Sequence, residues 1–223
     1  MQVFTSRLTG PAGWSVKAVS PPSTAVLRMN KSFSTDWTVS PSPGTKPGRY
    51  SLTVTTTYAP DSALSYTLEV VVPDPAPNAP AYLSDLPWLR TSNGWGPVER
   101  DHSNGENQGG DGNMITINGV TYAKGLGAHA PGVIEYYVAG NCTTVTADVG
   151  VDDEAGTNGT VSFEVWADGA KVADSGVLTN AMPAKPLQAN VSGATLIRLV
   201  TADGGDGINY DHADWANAHI TCG

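Results

Sequence analysis

Val72-Pro73-Asp74-Pro75-Ala76-Pro77-Asn78-Ala79-Pro80 places a proline at four of nine positions. Proline fixes φ and removes a backbone donor, so this run forms a stiff, extended spacer rather than part of a fold. The 223-residue chain must then close separate cores on either side, in residues 1–72 and 81–223, with 73–80 as the linker. The two sides differ in charge. Residues 1–76 hold six Lys and Arg against four Asp and Glu, whereas residues 77–223 hold six against seventeen. Such an acidic half does not suit nucleic acid, which needs a basic surface. No stretch approaches the roughly 20 apolar residues of a membrane span, so no membrane partner is expected.

Each half reads as β. The chain has 25 Gly, 16 Pro and only 15% charged residues, and Thr, Ser and Val recur throughout. Before the linker, apolar residues alternate at Trp14, Val16 and Ala18, at Leu52, Val54, Thr56 and Tyr58, and at Tyr66, Leu68, Val70 and Val72. Turn clusters such as Ser40-Pro41-Ser42-Pro43-Gly44 separate these runs, which predicts an immunoglobulin-like sandwich with Trp37 in its core. After the linker, Ile115–Tyr122 carries Asn118-Gly119 between apolar residues, a hairpin signal. Strands are predicted over residues 133–138, 143–151, 161–167, 171–177, 187–191, 195–201 and 215–222, giving a jelly-roll sandwich. Residues 82–112 lack periodicity and read as long loops on one rim, where binding residues concentrate.

Cys142 and Cys222 lie at the edges of two such runs, where a bridge would tie down the C-terminus; two free thiols are the alternative. No signal-peptide pattern is visible at Met1–Arg7. The chain is then cytosolic or a piece of a secreted protein, and the cysteines favour secretion.

Five segments, in order, resemble one family: Tyr82-Leu83-Ser84-Asp85-Leu86, Asn93-Gly94-Trp95-Gly96-Pro97-Val98, Lys124–Ala130, Gly150–Glu154 and Asp211–Ala216. The second half is similar to the novel putative carbohydrate-binding modules, jelly-roll domains attached to bacterial glycoside hydrolases. The first half is similar, less distinctively, to the immunoglobulin-like domain associated with α-galactosidases, through Gly13–Val16, Trp37–Val39 and Gly48–Leu52. The resemblance implies a non-catalytic part of a secreted glycosidase that binds galactose-type sugars beside its partner catalytic domain and often carries structural calcium.

Sugar binding needs an aromatic face against the pyranose ring and fixed polar groups for its hydroxyls. Trp95, Glu99 and Arg100 supply both within six residues, and His129, Asp211 and His212 are further candidates. The bland alternative has tryptophans plugging the sandwich, charges facing water and His129 as a satisfied structural group. For calcium, Asp152, Asp153, Asp206 and Asp214 lie in acidic turns, although their spacing is not that of an EF-hand. Solvated acidic loops are the alternative there. Histidine and cysteine spacing gives no zinc pattern, and no nucleophile or metallohydrolase motif appears, so catalysis is not expected. A competing reading is a calcium-stabilised extracellular adhesion module for a protein partner, which predicts a large apolar patch rather than a small polar pocket.

Overall fold

The structure is a computed structural model and describes residues 3–24, 32–59 and 62–223. It divides into two compact units, Met1–Asp74 and Pro75–Gly223.

The first unit contains, among the described residues, β1 (Phe4–Thr9), β2 (Ser15–Ala18), β3 (Ser23–Thr24), β4 (Trp37–Ser40), β5 (Gly48–Ala59) and β6 (Ser62–Val72). One sheet runs β3-β1-β5-β6, and β2 pairs with β4 in another. Trp14 lies against Tyr50 with ring centroids 5.0 Å apart, and Leu8 and Leu52 are buried. Trp37 is only half-buried, contrary to expectation. Among the described residues its sheet consists of β2 and β4.

The second unit begins with β7 (Ala81–Tyr82), a 3-10 turn at Leu83–Asp85, β8 (Arg90–Ser92) and β9 (Glu99–Arg100). There follow β10 (Thr116–Ile117), β11 (Val120–Thr121), β12 (Gly125–His129), β13 (Gly132–Tyr137) and β14 (Cys142–Val151). After a second 3-10 turn at Asp153–Ala155 come β15 (Thr160–Ala167), β16 (Ala170–Thr179), β17 (Lys185–Asn190), β18 (Leu196–Ala202) and β19 (His212–Cys222). One antiparallel sheet is ordered β17-β14-β19-β12-β9, with β7 also on β19; the other is β16-β15-β18-β13-β8. Their inner faces meet in one core, where Phe163 of β15 stands edge-on to Trp215 of β19 at 5.0 Å. The buried Trp215 indole N–H donates to Thr201 Oγ1 at 3.1 Å, so its polar atom is satisfied inside the sandwich.

Strand β19 is longer than the sequence suggests and does not alternate simply. Ala213 and Trp215 face the core, as do Ala218 and Ile220, so the phase changes between them. A register shift against β14 between Thr146 and Asp148, with Asn217 at φ 49°, absorbs the extra residue. Before the bulge, His212, Asp214 and Ala216 therefore point to the opposite face. Ile115 and Ile117 pack on Ala216 there, so part of the outer face is also buried. Cys142 and Cys222 are register partners on β14 and β19 and form the disulfide.

Candidate functional site

In antiparallel pairing, residues directly opposite project to the same face. His129 ends β12 opposite His212, which starts β19, and their rings meet with centroids 5.2 Å apart. Trp95 completes the group, its ring centroid 5.9 Å from that of His129 and 6.4 Å from that of His212. Both imidazoles are buried while the indole is 52% exposed. The three line an open hollow of about 1020 Å³, together with Glu154, Asn113 and Tyr210.

Local sequence fixes the indole. Asn93 donates to the Trp95 carbonyl at 2.8 Å and to Asn104 Oδ1 at 2.7 Å, and accepts from the His129 N–H at 2.7 Å. The Gly94 N–H donates to the His129 carbonyl at 3.1 Å. A side chain at Gly94 would place Cβ 2.0 Å from the Ala130 carbonyl oxygen, so only glycine lets the loop lie this close to β12.

The polar groups are equally constrained. His129 Nδ1 donates to the Ala130 carbonyl at 2.8 Å, which leaves Nε2 as an acceptor, buried and without a partner. Desolvation, with a smaller effect of neighbouring His212, holds its pKa below the usual 6.5 and keeps the ring neutral. His212 Nδ1 lies 3.0 Å from Glu154 Oε1. That hydrogen bond raises the His212 pKa against desolvation. The second Glu154 oxygen accepts from Asn113 Nδ2 at 3.0 Å. Glu154 reaches this position because Asp152 caps the 3-10 turn, accepting the Glu154 N–H at 2.8 Å.

The other candidates lie elsewhere. Glu99 is buried and accepts from the Gly110 N–H at 2.6 Å. Arg100 stacks over Trp88 at 3.6 Å and donates to the Ser84 carbonyl, so the pair is packed structure rather than a sugar platform. Asp211 is fully buried and accepts from the Thr160 N–H at 3.0 Å through Oδ1, while its Oδ2 has no partner. None of these three lines the hollow. Glu154, Asn113 and Tyr210 join it although sequence reasoning did not assign them to the sugar; only the resemblance segment ending in Glu154 pointed near one of them.

The four metal candidates do not all meet: Asp152 and Asp153 lie near Asp214, whereas Asp206 lies apart. Asp152 accepts from the Glu154 and Thr116 amides. Asp153 accepts from the Asn118 and Gly119 amides at 2.8 Å each, pinning the β10–β11 hairpin. Asp206 is exposed on a separate turn and accepts from the Thr160 hydroxyl. Among the described residues, no three His, Cys, Asp or Glu side chains converge as metal ligands would. Asp214 differs: it is fully buried, and neither oxygen receives a hydrogen bond. Desolvation, then the nearby Asp152, Glu154 and Asp153 carboxylates, drives its pKa well above the usual 3.8. Gly127 pairs with Asp214 on one side and Glu99 on the other, which puts both carboxylates on one face across a residue without a side chain. Glu99 Oε1 also lacks a partner.

A double-sheet β unit that presents an exposed indole over two imidazoles has the apolar face and fixed polar groups that a sugar ring needs. Residues 79–221 match the NPCBM/NEW2 domain and residues 4–59 the NPCBM-associated NEW3 domain of alpha-galactosidase. The chain belongs to the NPCBM/NEW2 family, the non-catalytic carbohydrate-binding modules of glycoside hydrolases. It is 39% identical over 220 residues to a protein of Renibacterium salmoninarum named "Putative endo-alpha-N-acetylgalactosaminidase", covering 95% of this chain and 14% of that one. It is 34% identical over 106 residues to Alpha-1,3-galactosidase B of Akkermansia muciniphila, covering 46% of this chain and 13% of that one. The chain thus spans about one seventh of the length of the curated relatives it matches. Among solved structures, a CBM51 from Clostridium perfringens GH95 in complex with methyl-galactose is 38% identical with a TM-score of 0.57. That match covers 64% of this chain and 99% of the other. The CBM51-2 and INT domains of Clostridium perfringens ZmpB, in complex with GlcNAc, give 29% identity and a TM-score of 0.58 over 79% of this chain and 38% of theirs.

Proposed function

We propose that the hollow of Trp95, His129, His212 and Glu154 binds a galactose-type sugar, holding an extracellular glycosidase near its glycan. The observation that carries this reading is the convergence of one exposed indole with a partnerless imidazole acceptor and a fixed imidazole–carboxylate pair. The indole face would take the apolar side of the pyranose, His129 Nε2 would accept from a hydroxyl, and His212 with Glu154 would pair with others. The methyl-galactose complex of the 38% identical module supports the choice of sugar. A monosaccharide buries few atoms, so the dissociation constant is expected on the order of 0.1–1 mM. Titration of the chain with galactose, followed by heat or chemical shift, tests this. Trp95→Ala should weaken binding about tenfold or more, as expected on losing the ring contact. Flat titrations across galactose and its α-linked disaccharides would remove the reading.

A structural calcium belongs to the same proposal, held by Asp214 and Glu99, with Asp152 beside Asp214. The support is chemical: Asp214 Oδ1 and Oδ2 and Glu99 Oε1 are buried oxygens without a donor, which suits a hard cation, whereas both Asp153 oxygens already accept amide hydrogen bonds and Asp206 is exposed. Bound calcium would fix the loop that follows Glu99 against β12. Chelator should lower the melting temperature and added calcium restore it. An unchanged melting temperature would count against the metal.

A further inference from the structure

The outer face of the second sheet of the C-terminal unit carries a different constellation. Arg198 of β18 lies opposite Glu135 of β13 and Trp166 of β15, and Arg90 of β8 lies opposite Glu135. With Val133 and Val200, the two arginines and Trp166 line a hollow of about 410 Å³ that shares no residue with the Trp95 hollow.

Its electrostatics set it apart from the rest of an acidic unit. Of the six Lys and Arg beyond residue 76, four are engaged elsewhere. Arg100 stacks on Trp88, Lys124 bridges Asp85 and Asp101, Lys171 bridges Glu164 and Asp174, and Lys185 donates to the Ser175 carbonyl. Arg90 and Arg198 share a single carboxylate, Glu135, whose side chain is 3% exposed. Arg90 uses Nε and Nη2 on it, and Arg198 uses Nε. A guanidinium carries five N–H donors, so both retain several for a ligand, already oriented by a buried anchor. The Trp166 indole N–H is tied to Glu164 at 2.7 Å, and the charge of Glu164 is met by Lys171 at 3.0 Å. The ring is therefore held by its edge beside the arginines.

We propose that this sheet face is a second sugar-binding site, selective for a sugar that carries an anionic group, carboxylate or sulfate. The guanidinium forks match either anion, and the indole with Val133 and Val200 offers an apolar bed for the ring. A neutral hexose would leave the free guanidinium donors of Arg90 and Arg198 without an anion to bind, so the anion decides the selectivity.

The test follows the Trp166 indole N–H by NMR in the full chain during titration with galacturonate, galactose 6-sulfate and galactose. The two anionic sugars share the ring and differ in the anion, so their order separates carboxylate from sulfate preference. Trp166 should shift saturably with at least one anionic sugar, weaken as salt rises, and persist in Trp95→Ala. Arg198→Gln, which leaves the Arg90–Glu135 bridge, should weaken that response about tenfold, as loss of a charged hydrogen bond implies. An undiminished galactose response at Trp95 in the same sample certifies the fold of this variant; if it fails there, Arg90→Gln serves instead. Three results would overturn the proposal: no anionic sugar shifting Trp166, galactose shifting it equally, or Arg198→Gln and Arg90→Gln both leaving the response intact. An acidic peptide that shifts Trp166 where both anionic sugars fail would assign the face to a protein partner and equally overturn it.

Discussion

A methyl group at position 94 would stand 2.0 Å from the Ala130 carbonyl oxygen. That contact is with backbone, so relief must come from moving the loop that carries Trp95. Gly94→Ala is therefore expected to cost roughly 1–3 kcal/mol in urea unfolding, as overpacking does, and to weaken galactose binding in titration. Glu135 gives a second residue-scale expectation. Desolvation pulls its pKa upward, but hydrogen bonds from Arg198 and then Arg90 outweigh it and hold the carboxylate below the usual 4.5. A depressed folded-state pKa adds stability that is present above pH 4.5 and is lost as pH falls through the folded value. Glu135→Gln should then be less stable than the parent at neutral pH, with the gap closing below pH 4.5. Thermal melts at a series of pH values check the sign. A gap that widened in acid would contradict it.

Elements differ in how far local chemistry specifies them. The β10–β11 hairpin follows from Asn118-Gly119, which sit at φ 46° and 79°, the left-handed pair that a two-residue turn requires. Asp153 reinforces it from a distant turn by accepting both amides. Asp153→Ala should lower stability by about 1–2 kcal/mol, the cost of leaving donors without a carboxylate, read from denaturant melts. Strand β12 is the opposite case. Gly125-Leu126-Gly127-Ala128-His129 has low strand propensity, and it holds because β9 and β19 pair with it on either side. Gly127 leaves room for the His102–Asn104 backbone, whose atoms would lie within 2.6 Å of a Cβ there. The disulfide joins β14 and β19 across 80 residues. Replacing both cysteines by serine should cost about 2–4 kcal/mol, since a loop of this length loses much unfolded-state constraint.

At the scale of the whole molecule, the chain divides into two compact units, and the Trp95 hollow lies wholly within Pro75–Gly223. Expressed alone, residues 75–223 should bind galactose with the affinity of the full chain. A large loss in a parallel titration would show that the first unit contributes to the site. The apolar patch expected of an adhesion module is not what surrounds the hollow, whose walls include Glu106, Asn113, Glu154 and Asn209.

The β class, most strand positions in the second half and the hairpin were legible in the chain itself, because alternation and turn residues act locally. It also flagged Trp95, His129 and His212, each marked by an unusual neighbourhood of glycine, alanine or aspartate. What joined them was register: His129 meets His212 only because β12 pairs with β19 at that position. The same pairing turned Glu99 and Asp214 under a loop and sent Asp211 toward Thr160, while Arg100 stacked on Trp88. A sequence shows which side chains are available, but the face each one presents depends on strand order and one bulge, which arise only when distant segments pair.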